Sequence, residues 1–436
     1  MRLLYIRWIP CQETGVMFLA PKTFQNFKIE CRTITLHLGD WKKKLSIKLC
    51  DELDENIIGL PNDLTDALTI PETIPYDIKL IGEDIYLGPV IAFFVREGYL
   101  SSKRIERWKL YCQNYSQIRG LVYFCTVSGI DMRTKKIRGY YFEPYAKEKG
   151  RLKSGIFPFP AVIYRRARIN GEVLKKLKIH VDNKIFNARI FNKLEMWEVL
   201  SAGGFVHTPY TTTLDGLYSL QMMLTYYNSV YLKPQIGRFG NGIIKIKTTP
   251  EGYLFKEKSG AEQWAKDLTQ VFQLTQKFKK KGEYIIQQDV SLNFEEKPVD
   301  FRVILQKDGS KNWTCSGIIA KVGINRQIHT NNPFSIHLGR EALQMIFGLS
   351  PEQASEKENE IIRICTEACL LLERAYGYFG DVGIDVVVDK NLKIWVLEIN
   401  KSHQHDMASY LKEDDPDMFK RVVSRPLEYA KALAGF

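Results

Sequence analysis

The stretch Gly383-Ile384-Asp385-Val386-Val387-Val388-Asp389-Lys390-Asn391-Leu392-Lys393-Ile394-Trp395-Val396-Leu397-Glu398-Ile399-Asn400 constrains this chain more than any other. Two runs rich in β-branched residues flank an Asp-Lys-Asn turn, a pattern that predicts a hairpin. Side chains alternate between the faces of a strand, so Glu398 and Asn400, two apart, share one. Asp385, near the start of the first strand, then lies opposite the end of the second. Three oxygen-bearing side chains converge at one end of the hairpin. Such a set suits Mg²⁺, a hard ion that takes carboxylate and carbonyl oxygens and keeps water or phosphate ligands. Read alone, the same residues are equally a polar hairpin end with surface acids.

A second constellation lies upstream, in Val230-Tyr231-Leu232-Lys233-Pro234-Gln235-Ile236-Gly237-Arg238-Phe239-Gly240-Asn241-Gly242-Ile243. A strand delivers Lys233, and Gly237, Gly240 and Gly242 follow, with Arg238 among them. Glycines let the backbone approach a phosphate and turn N–H groups toward it. Lys233 adds a point charge. The loop is neither a Walker A motif, lacking a terminal G-K-[ST], nor a dinucleotide fingerprint, since no G-x-G-x-x-G opens a helix. Taken alone it also reads as an ordinary hairpin turn.

Composition excludes several classes. With 45% apolar and 26% charged residues over 436 positions, the chain can bury at least two cores and is not largely disordered. No apolar run approaches the ~18 residues that span a bilayer. The start, MRLLYIRWIPCQETG, lacks an apolar core segment and a small-residue cleavage site, so no signal peptide is expected. Eight cysteines form no C-x-x-C pair. The histidines do not cluster with them at finger spacing, so no structural zinc site and a reducing, cytoplasmic home are expected. Charge is uneven. Residues 101–190 hold 21 Lys and Arg against 6 Asp and Glu, whereas residues 191–436 hold 30 of each. That excess reads as a solvated surface or as a docking face for an anionic partner. No helix-turn-helix, RNP or finger pattern accompanies it, so nucleic acid is not the expected partner.

The pattern of elements predicts an α+β chain in three parts. Residues 1–98 read as a β-rich N-terminal domain of short strands. Residues 99–185 form a basic α/β segment that opens with a helical pattern, RIERWKLYCQNY. Residues 186–436 hold a helix in FNKLEMWEVLSAGG, a helix at 214–227, strands at 229–233, 283–288 and 300–306, a long helix at 351–377, and the hairpin.

In this order, the Lys-Pro-glycine loop, a hinge strand, G-x-D and a final E-x-N resemble an ATP-grasp domain. Asn192-Lys193 at a helix start, followed by His207-Thr208-Pro209-Tyr210-Thr211, resembles the segment carrying that family's first nucleotide lysine. Ile285-Ile286-Gln287-Gln288-Asp289-Val290 resembles the adenine-binding hinge, where Glu is commoner. Asp300-Phe301-Arg302 resembles the D-x-R element of the branch that modifies proteins and peptides. Leu87-Gly88-Pro89-Val90-Ile91 and Pro158-Phe159-Pro160-Ala161-Val162-Ile163-Tyr164-Arg165-Arg166 are similar to the YheC/YheD group of spore-coat-associated proteins. Together the resemblances cover nearly the whole chain.

The resemblance implies two α+β lobes sandwiching ATP, with Mg²⁺ or Mn²⁺. It implies that Gln287, Gln288 and Val290 line the adenine, and that Lys193, Lys233 and the loop of Gly237, Arg238, Gly240 and Gly242 hold phosphates. Asp385, Glu398 and Asn400 would hold metal, and Arg302 and Lys321 would act in catalysis. The implied reaction joins a carboxylate, on a peptide, protein or amino acid, to an amine through an acyl phosphate. The alternative implied by the same resemblance is a spore-coat-associated structural or binding protein with little or no turnover. Three departures touch the acceptor side. Lys321 stands where these proteins often carry Arg. Thr330-Asn331-Asn332-Pro333 lacks a following Gly-Gly. After Asn400 the chain reads Lys401-Ser402-His403-Gln404-His405 rather than the commoner Ser/Arg-Pro-Gly.

Overall fold

A computed structural model describes residues 4–11, 13–29, 32–65, 68–101, 104–144, 151–237, 240–279 and 282–436. Its contacts divide the chain into two units. One comprises residues 1–188 with 307–312 and 423–436, and the other residues 189–306 with 313–422.

The first unit contains two sheets. The seven-stranded sheet uses strands between Tyr5 and Gly88, and the six-stranded sheet starts at Val90–Phe94. Val90–Phe94 pairs in parallel with Leu121–Asp131 on one side and Val162–Arg165 on the other. A strand in that position is covered on both faces, which is why VIAFF and VIYR are apolar or buried throughout. The helix expected in RIERWKLYCQNY is instead a 3₁₀ segment, Ile105–Cys112, followed by one turn at Tyr115–Ile118. Trp108 and Tyr111, three apart, eclipse in that geometry and pack together on Phe93. Part of the basic excess is tied up locally. Arg151 and Lys153 pair with the buried Glu143, and the buried Arg165 donates to the carbonyls of Ala167 and Ala188.

The second unit holds two antiparallel sheets, each covered by helices. In the first sheet the order is Thr211–Thr213, Tyr284–Gln288, Ser229–Pro234, Ile244–Thr249, Gly252–Glu257 and Glu262–Ala265. Its core joins Val230, Leu232, Ile246 and Ile286 to Leu220, Met223 and Leu224 of helix Leu217–Tyr227 and to Val271. In the second sheet the order is Ser335–Leu338, Trp313–Val322, Lys297–Lys307, Asp381–Val388 and Ile394–Asn400. Here Phe301, Val303, Leu305, Ile384 and Val386 pack with Ile361, Ile364, Cys365 and Ala368 of the long helix Pro351–Tyr376. Ser350 caps that helix with a capping box, and Asn192 does the same for Lys193–Ala202. None of the seven described cysteines is in a disulfide.

Candidate functional site

Strand parity builds the site. On Lys297–Lys307 the odd residues from Val299 to Leu305 enter the helix-covered core, so Asp300 and Arg302 take the other face. On Asp381–Val388 the even residues enter the core, so Asp385 joins them. The registers pair Arg302 with Asp385 and Asp385 with Glu398. A bulge next to that pair shifts the later register but leaves Asn400 on the Glu398 face. Arg302, Asp385 and Glu398 therefore form a row across three neighbouring strands, with Lys321 arriving from a fourth.

The row is tightly bonded. Arg302 Nε and Nη2 donate to the two oxygens of Asp385 at 2.9 and 3.1 Å. Lys321 Nζ reaches Asp385 Oδ1 at 3.3 Å and Asp300 Oδ1 at 2.7 Å. Asn400 Nδ2 donates to Asp385 Oδ2 at 3.1 Å, and Thr330 donates its hydroxyl to Asp300. Burial opposes the charge on Asp385, but Arg302 and Lys321 outweigh it and hold the carboxyl well below its usual range. On Asp300 burial wins over Lys321, and its pKa is raised. Glu398 is the open member of the row, with a third of its side chain exposed and Lys193 Nζ 3.6 Å from Oε1.

The other sheet contributes Lys233. Val230 and Leu232 enter its core, which leaves Tyr231 and Lys233 on the opposite face. Lys233 Nζ donates to Gln287 Oε1 at 2.5 Å, and Gln287 Nε2 donates in turn to Thr211 Oγ1 at 3.0 Å. Burial lowers the Lys233 pKa to about 8; Lys193 adds to the fall, while Glu398, Asp289 and Asp385 oppose it. The loop that follows needs glycine. Gly242 has φ +77°, and a Cβ there would meet the Tyr284 hydroxyl at 2.6 Å. Gly240, at the start of the turn 240–242, also has a positive φ, +68°, and Arg238 lies outside the described residues. At the end of Tyr284–Gln288 the backbone N–H of Gln288 donates to Tyr210 O at 2.9 Å, and Val290 follows, partly buried.

Residues 182–433, over half of the chain, match the family model for the YheC/D like ATP-grasp domain. The chain belongs to the YheC/D-like ATP-grasp family. Its two helix-backed sheets are the α+β ATP-grasp fold expected from the motifs. It is 23% identical over 402 residues to the endospore coat-associated protein YheD of Bacillus subtilis (strain 168), covering 87% of this chain and 86% of that one. It is 22% identical over 235 residues to YheC of the same organism, covering 52% of this chain and 62% of that one. Among solved structures, the ATP-grasp ligase PsnB, complexed with minimal precursor, Mg and ADP, is similar at a TM-score of 0.46 and 11% identity, covering 78% of this chain and 98% of that one.

This ATP-grasp chain also places residues that the motifs did not single out. A pocket of about 250 Å³ is lined by Tyr231, Lys245, Glu296, Pro298, Arg326 and Ile328, among others. Lys245 Nζ pairs with Asp289 Oδ2 at 2.6 Å. Tyr231 was within reach of sequence reasoning, since it stands two residues before Lys233 on the same strand. Glu296 and Ile328 are not, because the turn and loop that carry them have no alternation to read. Among the described residues no helix is long and apolar enough to cross a membrane.

Proposed function

We propose that this protein is an ATP-dependent carboxylate–amine ligase. The observation that carries the reading is the row of Lys321, Arg302, Asp385 and Glu398 across four strands, with Asn400 beside it and the desolvated Lys233 within electrostatic reach. Carboxylate and amide oxygens at one rim and lysine ammonium groups near them are the donor set that a magnesium–triphosphate pair requires. Asp385, Glu398 and Asn400 would hold Mg²⁺ or Mn²⁺, and Lys193, Lys233 and the amides of the 237–242 loop would hold phosphates. Gln287, Gln288 and Val290, with the pocket at Tyr231, would receive the adenine side. The ion, when bound, neutralises charge on the transferring phosphoryl group.

Arg302 is held in place by its two bonds to Asp385, so its orientation costs nothing at the moment of reaction. In the first step the substrate carboxylate takes the γ-phosphoryl group of ATP, giving an acyl phosphate and ADP. An amine then attacks the acyl carbon, and phosphate and a proton leave as the amide forms. No nucleophile on the protein is needed. Residues 186–436 carry the chemistry, and 99–185 attract an acidic peptide or protein tail through their basic excess. The protein works in the cytoplasm or in association with the spore coat.

The test is ADP release with a panel of amino acids and acidic peptides, with Mg²⁺ and with EDTA. Metal-dependent release with a carboxylate and an amine supports the ligase. A second reading, a coat-associated binding protein with little turnover, is favoured by the likeness to two endospore coat-associated proteins. Mg-ATP binding without ADP release from any carboxylate would favour it over the ligase.

A further inference from the structure

We propose that Asp381, His403 and His405 form a closed site for one divalent transition-metal ion, of which zinc fits best. The site lies on the same strand and face as Asp385, four residues away, or about 13 Å along an extended chain. It is therefore separate from the row described above. It arises from the Lys401-Ser402-His403-Gln404-His405 stretch, where the chain departs from the commoner pattern after Asn400.

The three donor groups lie within 4.8 Å of one another. His403 Nε2 is 3.0 Å from Asp381 Oδ1, and His405 Nε2 is 3.1 Å from Oδ2 and 3.2 Å from Oδ1. These separations approach the ~3.3 Å edge of a tetrahedron whose ligands sit ~2.0–2.1 Å from an ion. All three side chains are at most 1% exposed. Two imidazoles and one carboxylate select zinc and its neighbours over magnesium or calcium, which prefer oxygen.

Asp381 Oδ1 accepts from Gln306 Nε2 at 2.7 Å, and the Nε2 atoms of His403 and His405 face the remaining sides of the same carboxylate. Two protonated rings, their centroids 4.5 Å apart, would repel each other in a dry interior with a single carboxylate between them. One ion uses the Nε2 lone pairs instead and leaves the Gln306 bond in place. That bond is a support of the kind that orients metal-bound carboxylates. Gln306 is itself held, donating to Val422 O at 2.8 Å and accepting from Ser316. The His403 ring also needs the absence of a side chain at Gly383, where a Cβ would meet it at 2.7–2.9 Å. The expectation of no structural zinc site rested on cysteine and finger spacing; this one uses no cysteine.

Because the site is sealed, the ion enters during folding and stays in the native protein. The test is elemental analysis of the full chain, purified without a histidine tag or chelator from cells supplied with zinc. The proposal expects one zinc per chain that survives EDTA dialysis of the native protein and is lost on unfolding in chelator. Refolding with Co²⁺ alone should give visible d–d bands without the thiolate charge-transfer band that the free cysteines would produce. His403→Gln and His405→Gln should each lose the zinc while still unfolding cooperatively. If a variant fails to fold, the wild-type zinc content and the cobalt spectrum decide. Less than about a tenth of an equivalent of transition metal in the wild type would overturn the proposal. So would zinc retained in both folded variants, or a cobalt spectrum dominated by thiolate.

Discussion

Asp381 and Asp385 stand on one face of one strand, yet their surroundings are opposite. Asp385 is gripped by Arg302 and Lys321, which carry fixed charge, and its neighbour Glu398 is open to solvent. Asp381 meets two imidazoles and an amide in a sealed interior. Permanent cations beside an open acid suit a site that exchanges a charged ligand in every turnover. A sealed set of nitrogen and oxygen donors suits a ligand held for the life of the fold. The period of two on a strand produces both sites from one surface, and what packs over each end decides its chemistry.

Removing a charge at the open end should have the largest effect on stability. Arg302→Met leaves Lys321 as the cation that Asp385 and Asp300 share, and breaking such a buried pair costs about 3–5 kcal/mol. Denaturant unfolding of the variant checks this; a loss below ~1 kcal/mol would mean that Asp385 is far better hydrated than its geometry implies.

Lys233→Met should move stability the other way. The lysine holds its proton less tightly in the fold, with a pKa of about 8, than in the unfolded chain. Its charge therefore opposes folding below pH 8, and the opposition fades as pH rises from 8 toward the unfolded value. The variant should gain ~1–3 kcal/mol in the ligand-free protein at neutral pH while losing Mg-ATP affinity at least tenfold. A large fall in melting temperature would make Lys233 a structural group instead. In the wild type, Mg-ATP affinity measured by calorimetry should decline above pH 8, as Lys233 loses its proton in the free protein, and stay level from pH 6.5 to 7.5.

The smallest effect concerns the basic segment. Turnover on an acidic peptide should fall severalfold as ionic strength rises from low to ~0.5 M, because steering by exposed charge is screened. A flat response would leave residues 101–190 as a solvated surface, partly neutralised as at Glu143.

Much of the second unit was legible in the sequence because its signals are local. The hairpin of Asp385 and Glu398, the strand of Lys233 and the capped helix from Pro351 each follow from alternation, turn residues or capping chemistry. The 3₁₀ segment at Ile105–Cys112 was not, because α- and 3₁₀-helices both bring residues three apart together, and Trp108 with Tyr111 fits either. Bonds between distant strands were hidden too. Nothing local tells that Lys321 would bind both Asp300 and Asp385, or that Gln287 would brace Lys233. The Asp381 cluster needed the third dimension most, since it joins a strand to a loop more than twenty residues on, through register and a bend at Lys401–Ser402.

Glu398, the exposed member of the row, is the proposed working acid of the open end. Glu398→Gln keeps the volume and the strand and removes one charge, so the ligand-free melting temperature should hardly change. The decisive measurement is Mg²⁺-dependent ADP formation by wild type and Glu398→Gln on the same carboxylate and amine. Formation should vanish in EDTA and fall at least ~100-fold in the variant, since metal-assisted charge neutralisation contributes several kcal/mol to phosphoryl transfer. Equal rates in the two proteins, or equal wild-type rates with and without the metal, would contradict it.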